Sequence, residues 1–88
     1  MITRDYTILA QEGMHARPAT ALVKLARQFS SVVLLKKGTK EARLNSLLNI
    51  LSMGVKGGEI VTLVLEGQDE GAAAEAFDEF FKEGLKDW

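Results

Sequence analysis

The stretch Gly13-Met14-His15-Ala16-Arg17-Pro18-Ala19-Thr20 is where one periodicity in this chain gives way to another. Upstream, residues 2–9 mix apolar and polar positions, with Ile2, Tyr6 and Ile8 among them, and read as a first strand broken by Gln11-Glu12-Gly13. Downstream, apolar residues fall at Ala19, Leu22, Val23, Ala26 and Phe29, the spacing of one helix face. Pro18 suits the first turn of that helix, where its missing N–H is not needed and its φ is already helical. The octet is therefore a strand-to-helix turn that carries a histidine at its apex.

The remaining elements can be read outward from it. Ser31 to Lys37 contains Val32-Val33-Leu34-Leu35, a short run of β formers that reads as a buried strand. Lys37-Gly38-Thr39 turns, and Lys40 to Leu44 returns as a short strand. Ser46 to Met53 holds few strand formers and stops at Gly54, a helix ended by glycine. Gly57-Gly58 turns again into Glu59 to Glu66, whose Ile60-Val61-Thr62-Leu63-Val64-Leu65 is the clearest strand of all. Ala73, Ala76, Phe77 and Phe80 share one face of a last helix. Asp69 and Glu70 stand at its start and Lys82 and Lys86 near its end, the distribution that the helix dipole favours. The order β-α-β-β-α-β-α places the chain in the α+β class. It predicts a four-stranded sheet, much of it antiparallel in a split βαβ arrangement, with helices on one face. No linker, repeat or low-complexity tract interrupts it, which predicts a single domain over residues 1–88.

Composition narrows the functions available. With 11 basic and 12 acidic residues the formal charge is −1, so no global field gathers nucleic acid or an anionic membrane. The absence of cysteine removes disulfides, thiolate metal sites and cysteine nucleophiles, and a single histidine removes any His-rich metal site. No metal or cofactor is expected. No apolar run approaches the ~18 residues of a membrane span, and Met1 to Tyr6 lacks the basic start and apolar stretch of a secretory signal. The expectation is a soluble, cytoplasmic protein without membrane insertion.

His15 is the residue with chemistry to offer. It precedes a helix whose opening N–H groups, those of Ala16 and Arg17, are expected to face outward with partial positive charge. Arg17 adds a permanent cation with a planar set of donors, and Gly13 lets the chain turn sharply into the site. An anion carried on His15 would meet all three at once. Such surroundings favour an unprotonated ring nitrogen, which is a nucleophile, so His15 is a candidate covalent phosphoryl acceptor rather than a general base. No serine, cysteine or carboxylate motif beside it completes a hydrolytic triad, which points away from an enzyme with its own turnover. On the residues alone, an ordinary hydrogen-bonded surface histidine is the standing alternative.

The octet resembles the active-histidine pattern of HPr, the histidine-containing phosphocarrier family of the bacterial phosphoenolpyruvate:sugar phosphotransferase system. That pattern is Gly, aliphatic, His, small, Arg, Pro, small, small, and residues 13–20 fit every position. A second family pattern, around a regulatory serine and ending in glycine, resembles Thr39 to Gly54 with Ser46 at the serine. Asn45 and Asn49 stand where many members carry lysine. The resemblance covers essentially the whole chain and implies an open-faced β-sandwich, four antiparallel strands under three helices. It implies that phospho-enzyme I, charged by phosphoenolpyruvate, phosphorylates His15 on Nδ1. The group then passes to a histidine of an enzyme IIA domain in sugar uptake, with Arg17 assisting the phosphoryl group. It further implies regulatory phosphorylation of Ser46 by an ATP-dependent HPr kinase/phosphorylase and a transcriptional regulator as a further partner. Read from the residues, Ser46 is an N-cap. The alternatives are a nitrogen-branch phosphocarrier and a regulatory phosphoserine binding module, and relatives of the latter kind typically lack the histidine.

A docking face is also predicted. Leu47, Leu48, Ile50, Leu51 and Met53 surround nearly the whole second helix, and two turns cannot bury all of them. The remainder, including Leu48 and Leu51, is expected as an exposed apolar patch of the kind that marks partner surfaces. Thr20, Lys24 and Arg27 recur at helical spacing after His15, and the last two could rim that patch with charge that steers acidic partners. A shuttle that shows one face to successive partners is expected to be a monomer.

Overall fold

The structure, a computed structural model, describes residues 1–82, 85 and 88. Seven elements follow in chain order: β1 (Ile2–Thr7), α1 (Ala16–Ala26), β2 (Val32–Lys37), β3 (Lys40–Arg43), α2 (Leu47–Ser52), β4 (Ile60–Glu66) and α3 (Glu70–Phe80). The strands lie in the order β1-β4-β2-β3, and every neighbouring pair is antiparallel. Central β4 sets the register, with Val61 opposite Tyr6 of β1 and Leu63 opposite Leu35 of β2. This is an α+β open-faced sandwich, the class and strand count that the sequence predicts.

The run Val32–Leu35 is not buried throughout. Val33 and Leu35 enter the core, whereas Val32 keeps 38% of its surface exposed. The same alternation runs along β4, where Val61, Leu63 and Leu65 are fully buried and Ile60 is 60% exposed. Successive strand residues point to opposite faces, and the helices cover only one of them. An unbroken apolar run therefore splits between core and solvent. On the covered side Ile8, Leu22, Leu35, Ile50, Leu63 and Phe77 form one contiguous core.

α1 begins two residues before Pro18, so the proline occupies its first turn, where a backbone N–H would have no intrahelical carbonyl to donate to. The helix ends at Ala26, earlier than the apolar spacing suggests; Phe29 lies in the following turn and packs half-buried against the core. Asp69 sits at the N-cap of α3 but does not cap it. Its carboxylate instead accepts from the amides of Ser30 and Ser31, both at 2.9 Å, and from the Ser31 hydroxyl. That clamp ties the start of α3 to the loop before β2. Behind it Tyr6 stacks on Phe81 at 4.4 Å, and its hydroxyl donates to Asp78. Burial, then the bond to Asp78, pushes the Tyr6 phenol above its ordinary value. Lys82 is exposed past the end of α3, and Lys86 lies outside the described residues. Among the described residues, no helix is long and apolar enough to cross a membrane.

The Ser31 hydroxyl, followed by the Ser30 amide, holds the Asp69 carboxyl below its ordinary 3.8. A depressed folded pKa adds stability that is complete above the unfolded value and is lost as pH falls through the folded one. Asp69→Asn should therefore lower the melting temperature at neutral pH and flatten its decline on acidification. Thermal melts from neutral pH to about pH 2 check this; parallel acid limbs for both proteins would remove Asp69 from the account.

Candidate functional site

The site is built where two loops close on each other. Ile8 donates its amide to Glu59 at 2.9 Å, Gly58 returns one to Ile8 at 2.6 Å, and Met14 donates to Val55 at 3.0 Å. Segment 8–14, which leads into α1, is thus laced to segment 55–59, which leads into β4. Two glycines permit the approach. Gly13 has φ +67°, and a Cβ there would lie 2.3 Å from the Val55 carbonyl oxygen. A Cβ on Gly57 would lie 2.6 Å from the Ala10 carbonyl oxygen. Gly13 therefore does more than supply the expected sharp turn: it is the contact surface between the loops.

Met14 is buried, and His15 follows as the extended N-cap of α1, φ −91° and ψ −175°. Its carbonyl accepts the first helical bond, from Ala19 at 3.1 Å. Its imidazole makes no capping bond to the helix and keeps 26% of its surface exposed. The ring is reachable, at the opening of the helix that begins with Ala16 and Arg17. Its Nε2 lies 3.2 Å from the main-chain oxygen of Trp88 and 3.7 Å from the Glu12 carboxylate. Oxygen of either kind can only accept, so Nε2 carries the hydrogen in this arrangement, and in the neutral ring the lone pair is left on Nδ1.

Arg17 places its guanidinium over the Trp88 indole, 5.2 Å from the ring centroid. The indole in turn packs on Phe80 at 5.4 Å. Arg17, Thr20, Lys24 and Trp88, with Ala16 and Ala21, line a groove of about 540 Å³ along α1. The Thr20 hydroxyl donates back to the Ala16 carbonyl at 2.7 Å. Arg27 is not in this groove; with Arg43 and Asn45 it lines a separate hollow of about 180 Å³ past the end of α1. Of the three polar residues read from the helical spacing, the groove brings together Thr20 and Lys24 and leaves Arg27 apart.

Ser46 is the N-cap of α2, its hydroxyl accepting from the Asn49 amide at 3.3 Å. Ile50 is fully buried, and Leu47 and Leu51 are half-buried against the core, so positions 47, 50 and 51 make the inward face. Leu51 is thus not the exposed residue the sequence suggests. The outward apolar residue is Leu48, 78% exposed. Glu12 and Trp88 were missed by sequence reasoning. Glu12 is only three residues from His15, but a loop gives no fixed spacing to read. Trp88 is 73 residues away, and no periodicity joins it to the octet.

With this geometry in place, fold and site define a small protein that presents a reachable imidazole at a helix opening beside a guanidinium. A family model described as the PTS HPr component phosphorylation site matches residues 2–83. Among solved structures, HPr-C-His from Thermoanaerobacter tengcongensis is 34% identical, with TM-score 0.89, covering 97% of this chain and 96% of that one. The histidine-containing phosphocarrier protein of Mycoplasma is 31% identical, with TM-score 0.87 and 91% of both chains covered. The catabolite repression protein Crh of Bacillus subtilis, a swapped dimer in its crystal, is 32% identical, with TM-score 0.74, covering 96% and 97%. The chain belongs to the HPr family of phosphocarrier proteins.

Gly13→Ala should destabilise the fold by ~1–3 kcal/mol through the forced φ and the contact with Val55. The His15 ring signals in NMR should shift with it. Gly71→Ala, in α3 with open space around the added methyl, should leave both unchanged or slightly raise stability. Equal melting temperatures for Gly13→Ala and the parent would contradict the loop contact.

Proposed function

We propose that this chain is a single phosphocarrier domain of phosphoenolpyruvate-dependent sugar uptake, taking a phosphoryl group from phospho-enzyme I on His15. The observation that carries the reading is the arrangement of the His15 ring, the N-cap of α1 two residues before Arg17, with both acceptor oxygens on Nε2 and no capping bond to the helix. In the transfer, phosphorus exchanges its bond to phospho-enzyme I for a bond to Nδ1, and the donor leaves with its electron pair. The Nε2 hydrogen stays in place, held by the oxygens that face it. The helix dipole at Ala16 and Arg17 and the guanidinium of Arg17 offset the phosphoryl charge. The group then passes to a histidine of an enzyme IIA domain by the same exchange in reverse. The carrier holds the group and completes no reaction of its own, so it is a phosphotransfer protein in the cytoplasm, without autonomous turnover.

The docking face joins the α1 groove to α2. Leu48 supplies an exposed apolar contact, Leu47 and Leu51 its half-buried flanks, and Thr20 and Lys24 the polar and cationic side, with Arg27 apart from the groove past the end of α1. The chain acts as a monomer so that this face meets its partners in turn. Phosphorylation of Ser46 by an HPr kinase/phosphorylase would add about −1.5 to −2 charges at the α2 N-terminus. The dipole there accepts an anion, so the fold persists and the change falls on whatever docks beside Leu48. A second reading, a regulatory phosphoserine module that engages a transcriptional regulator, draws on the likeness to Crh. His15 favours the carrier over it.

Incubation with an enzyme I and phosphoenolpyruvate should add one acid-labile, base-stable phosphate, abolished by His15→Ala and detected by intact mass. An unchanged parent mass would leave the regulatory module as the better reading. Ser46→Asp should slow transfer from enzyme I several-fold with the fold retained by circular dichroism. Ser46→Ala should instead lose ~1 kcal/mol of stability as a missing cap and transfer at the parent rate. Identical rates for Ser46→Asp and the parent would detach Ser46 from the docking face.

A further inference from the structure

We propose that Trp88 is a positioning residue of the phosphoryl site, acting on Arg17 through its ring and on His15 through its main-chain oxygen. This rests on the phosphocarrier reading above. Three contacts meet at the one residue. Its indole lies under the Arg17 guanidinium at 5.2 Å, it is seated on Phe80 at 5.4 Å, and its main-chain oxygen is 3.2 Å from His15 Nε2. Its own amide donates to the Leu85 carbonyl at 3.0 Å.

The arrangement suits the chemistry because a guanidinium has two distinct surfaces. Its face is attracted to an aromatic ring, and its N–H donors radiate in the plane, at the edge. A ring held against the Arg17 guanidinium restricts where that cation can lie beside the neighbouring His15. A long arginine otherwise loses about 2 kcal/mol of rotamer freedom when it is ordered. The indole removes part of that loss before the phosphoryl group arrives. The main-chain oxygen does the corresponding work for the imidazole: by accepting from Nε2 it selects the tautomer whose lone pair is on Nδ1. The two effects are linked, since the seat of the ring on Phe80 and Arg17 determines where the oxygen lies.

Trp88 is the single tryptophan of the chain, so its emission reports on this site alone. Arg17→Ala should shift or intensify that emission in the unphosphorylated protein. The ¹⁵N spectrum of His15 should show the hydrogen on Nε2 in the parent, with a larger Nδ1–H population in Trp88→Ala. Transfer from phospho-enzyme I should slow roughly two- to fivefold in Trp88→Ala, the size of a part-exposed cation–π contact, and recover in Trp88→Phe. Parent-like tautomer and rate in Trp88→Ala would overturn the proposal, as would emission indifferent to Arg17→Ala. If Trp88→Ala does not fold, Trp88→Phe and the Arg17→Ala emission still decide it. If the parent accepts no phosphoryl group, the carrier reading falls by itself, while the tautomer and emission measurements still test Trp88.

Discussion

The lacing of segment 8–14 to segment 55–59 is the constraint on which the rest of the molecule depends. Amides cross between the loops at Ile8, Met14 and Gly58, and the backbones approach so closely at Gly13 and Gly57 that a methyl group has no room. The second segment is itself held from the sheet. Lys37 of β2 donates to the Gly54 carbonyl at 3.0 Å and pairs with Glu59 at 3.1 Å, and Glu59 accepts the Lys56 amide at 2.6 Å. The loop that presents His15 is therefore fastened, through its neighbour, to the centre of the sheet. Active groups placed on loops need a rigid scaffold behind them, and these backbone bonds provide it.

The covered face of the sheet explains what is left open. Three helices bury Val33, Leu35, Val61, Leu63 and Leu65, and the two-residue period of the strands sends their neighbours to the other side. The helices in turn keep one face inward. α2 is the extreme case: Ile50 is fully buried, Leu47 and Leu51 flank it, and Leu48 has no inward position left to occupy. An exposed leucine on α2 follows from a two-turn helix with too many apolar residues for one face.

At the site, the groups around His15 divide the work by geometry. The oxygens of Trp88 and Glu12 address Nε2, and the helix opening and Arg17 stand beside the ring. A histidine that capped its own helix would spend its nitrogen on an amide; this imidazole makes no such bond. Ser46 shows the opposite use of the same position, since its hydroxyl accepts from Asn49 and closes α2. One helix is capped by its own side chain and the other is not.

The sequence by itself determined the elements and their chemistry. Helical spacing after Pro18, the strand run at 60–65 and the cap at Ser46 are local properties, carried by neighbours within a turn or two, and they appear in the structure, with α1 stopping at Ala26. His15 before a helix was legible for the same reason. Tertiary structure decided what depends on distant parts of the chain meeting. Whether Val32 or Val33 turns inward depends on which face the helices cover. Leu51 is drawn inward because α2 packs with Ile50 toward the core, and Phe29 falls outside α1 while still reaching that core. Trp88 joins Arg17 and His15 only because the last helix carries the chain back across the sheet. Periodicity records the forces along one element; the contacts between elements arise from packing, and no spacing in the chain encodes them.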